Sequence, residues 1–206
     1  NPFKAVVRLL FFWKKPHAVV PVVRLSGVIA SSSQMRRGLS LEAVEPQLKK
    51  AFAMRGARAV ALIINSPGGS PVQSALIGKR VRDLARKSNV PVLAFCEDVA
   101  ASGGYWLAAS ADEIYANAAS VIGSIGVVSA GFGFDRAIER LGVERRVYTA
   151  GTNKMILDPF QPEKEADVVR LKSLQAEIHE QFITHVTDRR GGKLTGPHDD
   201  LFNGAF

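Results

Sequence analysis

Apolar residues along this chain gather in short dense runs, separated by glycine-rich turns and by stretches with helical periodicity. The run 59–65, AVALIIN, is almost continuously apolar and rich in branched residues, which fits a strand buried on both faces. The valine-rich run 19–29 also reads as a strand. Pro21 places its start at a sheet edge, because proline cannot donate to a ladder. The run 90–96 predicts a third buried strand, and 113–117, 121–129 and 143–149 are further strand candidates.

Helical patterns fall between these runs. Ser40 is placed to cap a helix reaching about residue 55, with Leu41, Val44, Leu48, Ala51 and Phe52 on one face; Pro46 interrupts or kinks it. Residues 31–38 are polar and short, a connecting loop. Pro71 suits the first position of a helix extending to about residue 87. Ser102 opens a helix that runs through about residue 110, and another is expected over 135–141. The longest starts at Pro162, carries Glu163 and Glu165 at its positive end, and stops near residue 190 before Gly191 and Gly192.

Strands alternating with helices predict an α/β fold with right-handed crossovers and a mostly parallel sheet. Ligand sites in such sheets collect in the turns after the carboxyl ends of strands. Two glycine turns occupy that position: Ser66-Pro67-Gly68-Gly69-Ser70 and Ser102-Gly103-Gly104.

Composition narrows the classes. At 47% hydrophobic and 22% charged residues, the chain of 206 residues is neither disordered nor fibrous, and one core of ordinary size is expected. The net charge of +8 is scattered in pairs such as Lys14-Lys15, Arg36-Arg37 and Arg145-Arg146, without neighbouring aromatic residues to stack bases, which argues against a nucleic-acid partner. Cys96 is the only cysteine, so an internal disulfide and a multi-cysteine metal site are excluded; within its apolar run it reads as a buried strand thiol. The apolar stretch 5–13 is broken by Arg8 and falls short of the roughly 20 residues a membrane helix needs. Residues 1–18 form an N-terminal arm whose Lys4, Arg8, Lys14 and Lys15 among apolar residues suit either an anionic membrane surface or a flexible extension. The folded domain is expected over 19–206.

The chemistry centres on the two turns. A serine at a helix N-terminus followed by two glycines has an exposed hydroxyl, free backbone N–H groups and a partial positive charge beside it. Ser102 has that setting, and so has a plain N-cap. If the two strands are neighbours, Gly69 N–H and Gly103 N–H are candidate donors to a developing oxyanion; the turns lack the Gly-Lys-Ser/Thr ending of a phosphate loop. A serine nucleophile needs a base. His17, His179, His185 and His198 lie outside the turns and read as surface or structural. No HExxH pair supports a metal, and no cofactor is expected. Lysine remains, provided its amine is desolvated and neutral. Lys154, followed by Met155, Ile156 and Leu157, is the candidate, although such a position also reads as a solvated loop residue.

These residues resemble the signal peptide peptidase A (protease IV) family, including its SohB-like members. The matching motifs are Asn65-Ser66-Pro67-Gly68-Gly69, Ala100-Ala101-Ser102-Gly103-Gly104-Tyr105, Gly123-Ser124-Ile125-Gly126-Val127 and Gly151-Thr152-Asn153-Lys154. The resemblance implies a ClpP/crotonase fold, a spiral of ββα units. It also implies a serine endopeptidase acting on signal peptides and other unfolded or membrane-derived segments, without metal or nucleotide. By the same resemblance Ser102 matches the nucleophile, Lys154 the general base, Gly69 an oxyanion donor and Ser124 a serine that orients the lysine. The family forms homo-oligomeric rings in which the lysine can reach a neighbouring protomer's serine, and its members are membrane-associated with the catalytic domain outside the cytoplasm. The absence of a span here leaves a soluble or peripheral protein as the alternative; a further strand and helix are expected past Phe206. Two rivals stand: a ring-forming membrane scaffold without activity, and a crotonase-type acyl-CoA enzyme using carboxylates such as Glu97 and Asp98.

Overall fold

The computed structural model describes residues 18–31, 38–151 and 153–206. Nearly all of the expected N-terminal arm, and most of the polar loop 31–38, lie outside the described residues. Five strands make one sheet: β1 (Val22–Ser26), β2 (Val60–Ser66), β3 (Val92–Ala101), β4 (Glu113–Ala116) and β5 (Val121–Gly123). Their order is β1-β2-β3-β4 with β5 also paired to β3, and every pairing is parallel, as the alternation of strands and helices predicts. β1 lies at the edge and begins just after Pro21, so the missing proline donor costs no ladder bond.

Three helices return the chain between strands: α1 (Leu41–Phe52), α2 (Pro71–Ser88) and α3 (Gly103–Ala109). The Ser40 hydroxyl accepts from Ala43 N–H at the start of α1, which continues through Pro46. Ser70 caps α2 through Gln73 N–H with Pro71 at its first position, and Asn89 in the left-handed region closes it. Val44, Leu48 and Phe52 of α1 and Ile77 and Val81 of α2 are buried with Leu25, Leu62, Ile64 and Val92 of the sheet in one core.

The short helix α4 (Asp135–Arg140) precedes the long α5 (Glu165–Arg190), a 3-10 turn (Gly191–Lys193) and α6 (His198–Leu201). α5 starts three residues after Pro162, and packs on α3 through a second cluster of Trp106, Ala109, Ile125, Phe182, Val186 and Phe202. The expected strand over 143–149 is a correction: this stretch has no regular structure and is exposed throughout. Its branched residues pair with no strand of the sheet, and a strand without a pairing partner is not stable. The expected strand over 121–129 shortens for the same reason to the three residues that β3 can pair. Among the described residues no helix is long and apolar enough to cross a membrane.

Candidate active site

β3 pairs with β2 on one side along most of its length, but on the other side it changes neighbour. Leu93–Cys96 runs beside β4, whereas Val99, Ala100 and Ala101 run beside β5. The chain then turns sharply into α3 at Ser102, which has φ 52° and ψ −122°. A side chain held in such a region costs on the order of 1–3 kcal/mol and persists only where the surroundings over-determine it. Here they do: Ser102 N–H donates to Gly123 carbonyl at 2.8 Å, and Trp106 N–H donates to Ser102 carbonyl at 3.0 Å. The Ser102 side chain makes no capping bond, so the plain N-cap reading does not hold. The elbow presents a half-exposed hydroxyl that has no partner among the described residues.

The second turn lies directly against the elbow. A Cβ on Gly68 would stand 2.7 Å from Gly103 N and 2.8 Å from the Ser102 Cβ, and one on Gly103 would stand 2.4 Å from the Ser74 hydroxyl. A Cβ on Gly104 would come within 2.3 Å of the Ser66 carbonyl. The glycines are therefore required by close approach of two backbones as well as by the positive φ of Gly68 (97°) and Gly69 (140°). Ile29 straps the turn from outside, donating to Gly68 carbonyl at 2.8 Å and accepting from Ser70 N–H at 2.7 Å. Ser66, which sequence alone gives no separate role, is fully buried; its hydroxyl donates to Gly27 carbonyl (2.7 Å) and accepts from Gly68 N–H (3.2 Å). A buried serine closing an apolar strand is the signal that points to it.

Neither Gly69 N–H nor Gly103 N–H has an acceptor among the described residues, as expected of the first turn of a helix and of a turn held open by its neighbours. Ser124 follows Gly123, the residue that holds the elbow; it has φ 54° and donates its N–H to Ala205 carbonyl at 2.6 Å. So the fold brings Ser102, Gly69, Gly103 and the Gly123-Ser124 turn together. Lys154 is different: it lies in a turn closed by its own N–H to Gly151 carbonyl, and it is exposed. Among the described residues no bond or ion pair joins its amine to Ser102 or Ser124.

The remaining polar groups are committed elsewhere. Glu97 pairs with Arg24 at 2.6 Å and Asp98 accepts from Asn65 at 2.7 Å, so both carboxylates of the crotonase rival are engaged. His185 stacks on Trp106 with centroids 4.6 Å apart and hydrogen-bonds the Trp106 carbonyl at 3.0 Å; burial holds its pKa below the ordinary imidazole value. Burial pushes the Cys96 thiol up to about 11. Among the described residues no cluster of three His, Cys, Asp or Glu side chains is placed to hold a metal ion.

A parallel sheet that delivers a strained serine elbow against a glycine turn defines a protein of the ClpP/crotonase class. Within that class the chain belongs to peptidase family S49, whose pattern it matches over residues 84–196. It is 57% identical over 188 residues to the Na(+)/H(+) antiporter NhaA of Brucella melitensis, covering 91% of this chain and 25% of that protein. It is 30% identical over 175 residues to the putative signal peptide peptidase SppA of Enterococcus faecium, covering 82% of this chain and 51% of that one. The chloroplastic serine protease SPPA of Arabidopsis thaliana is 34% identical over 128 residues, covering 62% of this chain and 18% of its own length. The chain thus spans about a quarter of the Brucella relative and about half of the Enterococcus one.

Proposed function

We propose that this protein is a serine endopeptidase in which Ser102 attacks the peptide carbonyl, Lys154 takes its proton, and Gly69 and Gly103 N–H groups receive the oxyanion. The observation that carries the reading is the Ser102 elbow, strained, uncapped and pressed against Gly68. In the first step the Ser102 Oγ–H proton passes to the neutral Lys154 amine as the Oγ–C bond forms; the ammonium then protonates the leaving amine as the C–N bond breaks. Water, deprotonated by the same amine, releases the acyl group and restores the serine.

A lysine amine acts as a base only when it is desolvated, so the proposed base must be covered when it acts. The chain between Ser124 and Lys154 supplies a reason for cover: its Val128, Phe132 and Tyr148 are 88%, 81% and 90% exposed, apolar side chains that a lone protomer leaves in water. We therefore read the active form as a homo-oligomer in which this region closes on a neighbour and Lys154 meets the neighbour's Ser102, with Ser124 orienting the amine. Extended, unfolded peptides, signal peptides among them, are the substrate class, as the name of the Enterococcus relative suggests. A segment 57% identical to this chain inside a protein named for Na(+)/H(+) exchange supports a membrane setting.

The test is hydrolysis of an unfolded peptide together with labelling by a fluorophosphonate. Ser102→Ala and Lys154→Ala are each expected to abolish turnover, and mixing the two inactive variants to restore part of it if serine and lysine come from different protomers. Turnover that survives in either single variant overturns the assignment; an assembled wild type that neither cleaves nor labels favours the inactive scaffold.

A further inference from the structure

β3 is longer than its neighbour β2 across the stretch that leads to the elbow. Ile64 is opposite Cys96 and Ser66 is opposite Ala100, so two steps of β2 face four steps of β3. The excess is taken up in a bulge at Glu97 and Asp98, at the point where β3 leaves β4 and takes β5 as its neighbour. A bulge leaves ladder groups unpaired and re-aims the strand that follows it. Asn65, the β2 residue facing this gap, fills it with its carboxamide: Oδ1 accepts from Val99 N–H at 3.3 Å and Nδ2 donates to Asp98 Oδ2 at 2.7 Å. Its main-chain carbonyl accepts from Gly27 N–H at 2.9 Å, so the same residue ties β1 to the joint. Ser102 stands three residues beyond Val99.

We propose that Asn65 is a positioning residue, whose side chain sets the bulge at Glu97-Asp98 and through it the placement of Ser102 against the Gly68-Gly69 turn. This rests on the reading of Ser102 as nucleophile. Both ends of the carboxamide are used, which distinguishes Asn65 from a residue that merely fills space. Aspartate at the position keeps the acceptor for Val99 N–H but sets a carboxylate against the Asp98 carboxylate. Asparagine at position 98 keeps an acceptor for Asn65 Nδ2, and in combination with aspartate at 65 it restores the bond with donor and acceptor exchanged.

The experiment compares wild type, Asn65→Asp, Asn65→Leu, Asp98→Asn and the double exchange Asn65→Asp with Asp98→Asn, on the full chain in its assembled form. Misplacement by about 1 Å typically costs about 100-fold in rate, so Asn65→Asp and Asn65→Leu are expected to lower kcat and fluorophosphonate labelling by roughly 30- to 100-fold, with KM changed less than about threefold. Asp98→Asn is expected to stay within about fivefold of wild type, and the double exchange to recover at least about tenfold over Asn65→Asp. Labelling within about threefold of wild type in Asn65→Asp, or a double exchange no better than it, overturns the proposal. Amide hydrogen exchange supplies a second, activity-free readout: protection over 99–104 should fall at least about tenfold in Asn65→Asp and return in the double exchange, while 77–85 is unchanged. A wild type that never labels at Ser102 would refute the peptidase reading itself, and the exchange data would then decide the placement alone: unchanged protection over 99–104 refutes it.

Discussion

Ser102 and Gly123 are joined by one main-chain hydrogen bond of 2.8 Å, from the amide of the elbow to the carbonyl at the end of β5. Through it the residue with the free hydroxyl and the turn that carries Ser124 become one rigid piece. The bond also continues the parallel pairing of Ala101 with Gly123, so the elbow is an extension of the sheet.

Gly68→Ala is expected to damage the site more than its conformational cost implies. The new Cβ would press on Ser102 and Gly103, and labelling at Ser102 should fall by about 100-fold or more. Gly27→Ala is the control, because Gly27 has a similar φ of 95° with nothing within 4 Å of the added carbon. It should cost only the roughly 1–2 kcal/mol of a left-handed residue and leave labelling near wild type. Thermal melts beside labelling rates separate the two effects.

Trp106→Ala should loosen α5 from α3. Trp106 packs on Phe182 at 4.9 Å and on His185, and is almost wholly buried. Truncation of such a residue costs about 3–5 kcal/mol, measurable as a shift in the denaturant midpoint.

Stability should weaken in mild acid through His185. Burial lowers its folded pKa, with Arg189 acting in the same direction and the Trp106 carbonyl and Asp188 opposing. The unfolded state therefore binds the proton more readily: the contribution is complete above about pH 6.5 and is lost as pH falls through the lower folded value. Asp112 titrates in a separate, more acidic window; burial raises its pKa, but Val92 N–H, Arg82 and Arg189 outweigh that and hold it below the usual carboxylate value. Melting temperatures between about pH 7.5 and about pH 5 should fall for wild type and fall less for His185→Gln.

Cys96 should be inert in the folded protein. Its thiol, pushed up to about 11, stays protonated at neutral pH and is buried in β3. Iodoacetamide is expected to modify it only after unfolding, as mass measurement with and without denaturant would report.

Much of this fold was legible in the residues. Hydrophobic runs at 59–65 and 90–96, Ser40 as a cap, Pro71 at a helix start, and the glycines after Ser102 each act locally, and each lies where periodicity and turn chemistry put it. The two glycine turns were also legible as turns after the carboxyl ends of strands, and the structure sets them there, after β2 and β3. The strand expected at 143–149 failed, since Val143 and Val147 express a β preference that is realised only beside a pairing partner, and this stretch has none in the sheet. The extra length of β3 was hidden for a related reason. Glu97 and Asp98 interrupt the apolar run that marks its first half, and only the carboxamide of Asn65, over thirty residues earlier, reveals why the strand continues past them. Lys154 is exposed in the single chain, and the apolar residues that follow it in sequence do not enclose it.

Helix α3 buries six of its seven residues, Tyr105 alone being half-exposed. A helix gripped on nearly every side cannot swing to meet an arriving molecule. The entropy of fixing the Ser102 backbone is therefore surrendered once, during folding, and the elbow does not have to be rebuilt each time a molecule reaches it.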